Sequence, residues 1–417
     1  MPGSHLSAHC CGNTSELRPL EDLLYDIETW PLAPLATEQV DLGSAITRVI
    51  AEPVISPTAL PPYRNSAVDG YGYRCADRPP DGRLPLVGRS AAGHPFTEPA
   101  PVVPAAIRIL TGAAVPAWVD TVAMQEDCVT DNGVVTVSAQ EPGGHIRAAG
   151  EDVAAGAVVL RRGDRLRPQD VGMAASVGQA RLTVFRKLRV AVFATGDELR
   201  PPGEALPEGC IYDSNRFVSA ALFRRLGFDV TDLGIVADSA ASVRAALADA
   251  AADHDLVVTS GGVSEGDEDH VVPAVRALGT LTSWKLAMKP GKPVAVGQLG
   301  NCVFVGLPGN PVAAAVGLAT VARPLALRLA GAAQIAPRSF PVVAADPIRR
   351  DQDRRQFIRG KLEPHGATLA VRRYRSDSSG ILSSLTWSDG LIDVAPGVGG
   401  VPAGETVDFL PYSELFG

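Results

Sequence analysis

The chain's 417 residues exceed what one ordinary core needs, so about two to four domains are expected. Hydrophobic residues make up 46% and charged residues 20%, the composition of a globular protein. A formal net charge of −8 argues against nucleic acid as a general partner, because that binding rests on phosphate neutralisation by Lys and Arg. Clusters such as Arg349-Arg350 and Arg372-Arg373 read as solvated surface.

Six cysteines, at 10, 11, 75, 128, 210 and 302, form no CxxC pair and no zinc-ligand spacing. Cys302 lies in an apolar run and reads as a small buried side chain. Cys10-Cys11, with His5 and His9, lies in a polar start that reads as a disordered terminus, a metal site being the alternative. The first twenty residues lack a continuous apolar core, so no secretory signal is read. The apolar pattern 312–330 is interrupted by Arg323-Pro324 and Arg328, so no membrane span is read either, and a cytoplasmic protein is expected.

In chain order, residues 16–28 carry Leu17, Leu20, Leu24 and Ile27 at helical intervals. Residues 40–54 carry Leu42, Ala45, Ile46 and Val49, which predicts a second helix ended by Pro53. The proline-rich run 56–63 reads as a connector into a new domain. In the following segment, 65–72, Asp69-Gly70 between β-formers is a hairpin turn or a functional loop. Strand-like runs at 107–110, 121–124 and 134–137 predict a small β-rich domain, with Thr111-Gly112 at one of its loops. A short helix is expected over 168–177, with Pro168 at its start, where a missing N–H does no harm. After the run 181–185, Arg186-Lys187 reads as a linker.

From residue 190 to 311, three valine-rich apolar runs each lead into a glycine-rich loop. Residues 190–194 precede Thr195-Gly196-Asp197-Glu198; 256–259 precede Ser260-Gly261-Gly262-Val263-Ser264; 302–305 precede Gly306-Leu307-Pro308-Gly309-Asn310-Pro311. Between them lie helical patterns: Asp213-Ser214-Asn215 supplies N-cap chemistry for one with Phe217, Ala221, Leu222 and Leu226 inward and Gly227 as its C′ residue. Asp238 and Ser239 cap another, with Val243, Leu247 and Ala250 inward. This alternation predicts a doubly wound, three-layer parallel-sheet domain over about 187–332, with ligands at the carboxyl ends of its strands. Beyond Pro337 helical periodicity disappears, and runs at 340–343, 356–362, 368–371, 390–394 and 406–410 predict a small β domain.

Each loop alone is weak evidence. Gly291-Lys292 lacks the spacing and the Ser/Thr of a Walker motif, Thr195 to Glu198 could be a turn with a capping acid, and Lys285, Lys289 and Lys292 could be a solvated basic turn. Their expected meeting at one sheet edge gives them a common purpose. Carboxylates there suit Mg²⁺, which takes one or two carboxylates plus phosphate oxygens. Lysines neutralise phosphate or oxyanion charge, and glycines let backbone N–H groups approach an anion.

Together with Asn65 to Tyr71, Thr111-Gly112, Gly150-Glu151-Asp152, Asp213-Ser214-Asn215 and Lys285 to Lys292, these loops resemble the molybdopterin molybdenumtransferase (MoeA) family, to which the gephyrin E domain is related; the motifs run in family order over roughly 19–410. The resemblance implies a multidomain α/β plus β protein: an elongated N-terminal α+β domain (16–56 and 147–186), an inserted β-rich domain (57–146), the α/β molybdopterin-binding domain (187–332) and a C-terminal β-barrel-like domain (337–417). It implies insertion of molybdenum from molybdate into adenylated molybdopterin, with Mg²⁺-dependent hydrolysis of the adenylate and AMP release. It also implies a homodimer with the site in a cleft between subunits, and hand-over from a molybdopterin adenylyltransferase. By motif, Asp69, Asp152, Glu198, Asp238 and Asp269 would be catalytic, with Glu198, Asp238 and Asp269 handling Mg²⁺. Thr111, Arg147, Asp197, Ser260, Gly261, Gly262, Lys285, Lys289, Lys292, Pro308 and Pro311 would bind or shape the substrate site.

Two stretches depart from the family pattern. After Ser264 the chain reads Glu265-Gly266-Asp267-Glu268-Asp269-His270, more acidic than is usual and with His270 where Tyr is common. Ser378-Ser379-Gly380 lacks the basic residue that relatives often carry after the serines. Two other functions fit the same residues. The preceding adenylyl transfer needs a single sheet domain, which the inserted and C-terminal domains argue against, and a non-catalytic pterin-binding scaffold has no need of the carboxylates and lysines.

Overall fold

The computed structural model describes residues 17–264 and 269–417. His5, His9, Cys10, Cys11, Glu16 and the acidic run 265–268 lie outside the described residues. The chain forms two compact units: one comprises residues up to Ala51, Arg162–Arg167 and Thr183–Gly417, and the other Glu52–Arg161 and Pro168–Leu182.

The larger unit is built on a six-stranded sheet. Arg189–Thr195 lies between Asp229–Val236 and Leu256–Ser260, with Cys302–Leu307 beyond, and these four strands are parallel. Residues 190–195, 256–260 and 302–307 are buried throughout, as expected when both sheet faces are covered. Side chains alternate between two cores. Val190 and Val192 pack with Ala220, Leu222, Phe223 and Val312 on one face; Ala191 and Phe193 pack with Val243, Leu247, Val271 and Val275 on the other. Fully burying each of the larger aliphatic side chains contributes roughly 1.5–3 kcal/mol. The expected three layers are therefore present, but the sheet is not wholly parallel. Ala295–Leu299 and Thr280–Trp284 extend it as antiparallel strands. Only Gly300-Asn301 separates Leu299 from Cys302, and a two-residue connection joins antiparallel neighbours only.

Register decides where the loops fall. Ala194 is level with Ser260, and Ser260 with Leu307, so the three glycine-rich loops leave the sheet at one edge. After the third loop the chain runs as α-helix Pro311–Gly317, a π-helical turn Leu318–Ala322 and α-helix Arg323–Leu329. Arg323-Pro324, read as an interruption, coincides with the return from π to α geometry instead of ending the helix. This stretch is long and apolar enough to cross a membrane, yet 89% of it is buried inside the fold, where its apolar surface forms the core.

Beyond it, Phe340–Ala344, Arg355–His365, Thr368–Arg373, Gly390–Val394 and Thr406–Pro411 pair in a ring that closes between Arg355–His365 and Gly390–Val394, a five-stranded barrel. Closure removes the sheet edges, as expected for a small β domain. Two short helices missing from the sequence reading, Ser383–Trp387 and Tyr412–Leu415, lie within this region. In the smaller unit, a six-stranded sheet carries Gly70–Tyr73, Arg83–Ser90, Ala106–Ile109, Thr121–Met124, Val129–Asp131 and Val134–Thr136.

Two local expectations fail. Residues 40–54 are not helical: strand Thr37–Asp41 leads into a 3₁₀ turn, Leu42–Ser44, and then into extended chain bridging Val49 to Arg165 and Ile50 to Val184. Asp41 accepts from Ser44 N at 3.0 Å and closes that single turn, while β-branched Val49 and Ile50 favour the extended pairing that follows. The helix Asn215–Arg225 forms, with Gly227 left-handed just after it, but Phe217 and Ala221 face outward and its buried side chains are Arg216, Ser219, Ala220, Leu222 and Phe223. Arg186, read as linker, is pinned: its guanidinium donates to both carboxylate oxygens of Asp255 at 2.7 and 2.8 Å.

Candidate active site

The three loops border a cavity of about 320 Å³ whose lining includes Thr195, Gly196, Glu198, Asp238, Gly261, Gly262, Ser264, Asp269, Pro308, Gly309 and Asn310. Three carboxylates from three separate segments, Glu198, Asp238 and Asp269, thus face one cavity at the carboxyl edge of the sheet. A larger cavity of about 490 Å³ lies between the Asn215–Arg225 helix and the chain's last residues. Its walls include Val218, Leu222 and Phe416 and, among the described residues, no Asp or Glu side chain, so the gathered acidic side chains belong to the smaller, polar cavity.

Local geometry explains why these side chains sit there. Asp238 lies two residues past the strand Asp229–Val236, and Ser239, whose hydroxyl accepts from Ser242 N at 3.2 Å, is the helix N-cap. That frees Asp238 from the capping role, and its Oδ1 accepts from the hydroxyl of buried Thr195 at 2.9 Å. Glu198 is exposed at the rim, in the turn that follows Thr195. At Gly261 the backbone is left-handed (φ +92°), and a Cβ there would come within 2.3 Å of the Thr195 carbonyl oxygen, so this loop requires glycine. Gly261 N–H donates to Leu307 O at 3.0 Å and is used in joining two loops. Asn215 joins them again, its Nδ2 donating to Ser260 Oγ and to Gly309 O, each at 2.8 Å.

Behind Asn215 stands a charged support. Asp213 Oδ1 accepts from Arg216 N at 3.3 Å, so Asp213, not Ser214, supplies the side-chain cap. Arg216 is buried between Asp213, at 2.7 Å, and Asp232, and its guanidinium stacks 4.5 Å over Phe217. A buried arginine held by two carboxylates fixes the helix start that carries Asn215.

Other expected residues sit differently. Asp197 is exposed, and its carbonyl accepts from Arg200. Lys285 is buried with a left-handed backbone (φ 72°), and its carbonyl accepts from Arg18 N at 3.1 Å. Lys289 belongs to the two-residue strand Met288–Lys289, which pairs in parallel with Arg355–Gln356 of the barrel. Lys292 is exposed and receives Leu286 N at its carbonyl. None of the three lysines is among the described residues lining the cavity. Pro308 is buried and lines it, while Pro311 takes the first turn of its helix, so both shape backbone as expected. His270 occupies the N-cap position of helix Val271–Leu278 without a side-chain cap bond.

In the smaller unit, Asp69 Oδ1 accepts from both Thr111 N and Thr111 Oγ1, each at 2.7 Å. These bonds, the hydroxyl's first, hold the Asp69 carboxyl below the usual carboxylate range. Ile146–Arg147 pairs with Asn65–Ser66, so Arg147 lies beside the segment that leads to Asp69. Asp152 is exposed and forms no ion pair with Arg147 among the described residues; its N–H donates to Leu60 O at 3.0 Å.

One residue near the cavity escaped the sequence reading. Arg359, 2% exposed, sits in a barrel strand and donates to Ser384 Oγ (3.1 Å), Ser376 O (2.7 Å) and Ser378 O (3.0 Å); burial lowers its pKa, against the opposing charge of Asp377. It thereby holds the 376–380 loop, from which Ser379 O accepts Val312 N (2.9 Å), next to the cavity-lining Gly309-Asn310 turn. A strand arginine reads as surface, and only its tertiary setting reveals this role.

An α/β sheet with three acids and three glycine-rich loops at its carboxyl edge, followed by a closed β-barrel, defines a multidomain protein of the class that binds ligands in a strand-end crevice. Residues 18–178 match the MoeA N-terminal region (domain I and II), 191–328 the "Probable molybdopterin binding domain", and 341–412 the MoeA C-terminal region (domain IV). A molybdopterin molybdenumtransferase of Haemophilus influenzae is 39% identical over 92% of this chain and 96% of its own length. Molybdopterin molybdenumtransferase 2 of Mycobacterium tuberculosis is 36% identical over 88% and 92%. The crystal structure of the molybdopterin biosynthesis MoeA protein of Pyrococcus horikoshii OT3 superposes with a TM-score of 0.80 at 26% identity, covering 95% of this chain and 100% of that one. The chain belongs to the molybdopterin molybdenumtransferase (MoeA) family: it is a transferase with a role in molybdenum cofactor biosynthesis.

Proposed function

We propose that the enzyme inserts molybdenum from molybdate into adenylated molybdopterin, with Mg²⁺-dependent hydrolysis of the adenylate and release of AMP. The observation that carries this reading is the meeting of Glu198, Asp238 and Asp269 in one cavity beside the loops of Gly261-Gly262 and Pro308-Gly309. Carboxylates alone would repel a phosphoanhydride, so their gathering there makes chemical sense with a divalent cation.

The donor set fits such an ion. Among the described residues no three His, Cys, Asp or Glu side chains form a ready-made metal cage. Magnesium does not require one, because it binds through one or two carboxylates, substrate phosphates and water. Glu198, Asp238 and Asp269 would hold it, and it would polarise the phosphoryl group under attack. Thr195 orients Asp238, and the paired loops of Ser260, Gly261 and Gly309 bring backbone against the substrate. Lys285, Lys289 and Lys292 would offset the charge of molybdate and phosphate as point cations.

The reading extends to a homodimer in the cytoplasm, with the domain division 16–56 plus 147–186, 57–146, 187–332 and 337–417. In it Asp69, Thr111 and Asp152 of one copy act on substrate held by the other, and the adenylated pterin arrives from an adenylyltransferase.

The test is AMP release from adenylated molybdopterin with Mg²⁺, with and without molybdate. Molybdate-dependent release by the wild type is expected, with Glu198→Ala and Lys289→Ala binding the pterin but releasing no AMP. Normal release from both variants would sink the site assignment, and tight binding without release by the wild type would favour a pterin-binding scaffold.

A further inference from the structure

Within the larger unit, the 162–166 segment, the chain after helix Arg323–Leu329 and the C-terminal helix Tyr412–Leu415 come together around two arginines. Ala333 N donates to Gly163 O at 2.9 Å, and Arg323 donates to Ile335 O at 3.0 Å. Arg323 is 7% exposed and its Nε has no hydrogen-bond partner; the buried Nε of half-buried Arg165 has none either. Neither guanidinium forms an ion pair among the described residues. The acid that Arg323 senses is Glu414, whose Oε2 already accepts from Arg338 N at 3.3 Å.

Two cations with orphaned Nε donors, and no ion pair to either among the described residues, are an unfinished arrangement. A buried N–H without an acceptor costs about 1–3 kcal/mol, and like charges close together add to that. Burial first, and Arg165 second, push Arg323 down to about 10, and burial lowers Arg165 too; a guanidinium keeps its charge at neutral pH. Planar guanidiniums present paired donors that match a tetrahedral oxyanion. Neither arginine lines the acidic cavity described above.

We propose that Arg165 and Arg323 form a second anion site, separate from the acidic cavity, for a small free oxyanion of the sulfate and phosphate class. The ion satisfies the orphaned Nε donors and neutralises the pair.

Calorimetric titration of the full-length protein with sulfate, and separately with inorganic phosphate, tests this at an ionic strength held constant with sodium chloride. Wild type is expected to bind one equivalent at this site. Lys289→Ala should retain that binding, because Lys289 belongs to the strand at the barrel. Arg165→Gln should weaken it roughly tenfold to hundredfold, the worth of one charge-assisted hydrogen bond. Among the described residues Arg165 makes no hydrogen bond through its side chain, so Arg165→Gln should also melt no lower than wild type in anion-free buffer, which separates loss of the site from loss of the fold. Undiminished binding by Arg165→Gln, binding lost in Lys289→Ala, or no saturable binding by wild type would each overturn the proposal.

Discussion

The hydroxyl of Thr195 donates to Asp238 Oδ1 across 2.9 Å, linking the end of the central strand to the loop after its neighbour. Two of the three converging segments therefore hold each other in register before any ligand arrives. Thr195→Val keeps the shape of this buried side chain and removes the bond. Stability should fall by about 1 kcal/mol, because half-buried Asp238 can turn to water. AMP release should fall about tenfold, equivalent to roughly 1.4 kcal/mol of lost orientation in the transition state. Melting curves and single-turnover AMP release check the two effects separately; an equal loss of folding and turnover would mean that Thr195 serves packing alone.

Asp69 and Thr111 give a prediction with a definite sign in pH. The Thr111 hydroxyl and N–H both stabilise the ionised carboxylate, so Asp69 stays charged below the usual carboxylate range. Thr111→Val removes the hydroxyl's contribution and leaves the N–H. The Asp69 carboxyl, followed by NMR titration, should move up towards its ordinary value. If ionised Asp69 serves the reaction, the acid limb of the activity profile should move up with it, while the neutral-pH plateau changes only through lost orientation. An unmoved Asp69 titration would refute this account of its low pKa.

The loops of the α/β domain were legible because each combines a continuous apolar run with glycines, and both signals are local. Gly261 illustrates the limit of such reading. Its presence predicts a turn, but the reason for it, a Thr195 carbonyl 2.3 Å from where a Cβ would stand, is a contact across 66 residues. Residues 40–54 misled because Leu42, Ala45, Ile46 and Val49 happen to fall at helical spacing, whereas the chain is held extended by Arg165 and Val184, partners over a hundred residues away. In sequence Lys289 reads as a substrate-binding lysine, with a solvated basic turn as the alternative; its pairing with the barrel strand depends on a domain that begins some fifty residues later. Arg359 and Arg186 were invisible as functional or structural anchors, since a charged residue in a short segment carries no local mark of burial.

Asp255 should set part of the acid stability. Burial opposes its ionisation, but bonds from the Arg186 side chain, Arg189 N and the Arg189 side chain outweigh that, and its pKa falls from 3.8 to about 2. Because the folded value is the lower one, the stabilisation is present above the unfolded value and is lost as pH falls from about 4 through about 2. That fall corresponds to on the order of 2 kcal/mol. Asp255→Asn should therefore be destabilised by about 2 kcal/mol in urea at pH 7, with the gap to wild type closing towards pH 2. A gap that stays constant over this range would assign the loss to packing and not to charge.

Arg359 gives the most local prediction. Its guanidinium reaches Ser384 Oγ and two carbonyls of the 376–380 loop, a divergent set of acceptors that a planar fork spans and an ammonium does not. The loop in turn receives Val312 N at Ser379 O, so the first turn of the helix beside the acidic cavity rests on it. Arg359→Lys retains the charge and loses at least one of these bonds, each worth about 1.5–3 kcal/mol when charge-assisted. Global stability should drop by about that amount, while hydrogen exchange at the Val312 amide and through 376–380 should accelerate more than it does in the opposite barrel strand Phe340–Ala344. Uniform acceleration across the barrel would mean that Arg359 supports the domain as a whole; acceleration confined to Val312 and the loop would identify it as the residue that holds this wall of the site in place.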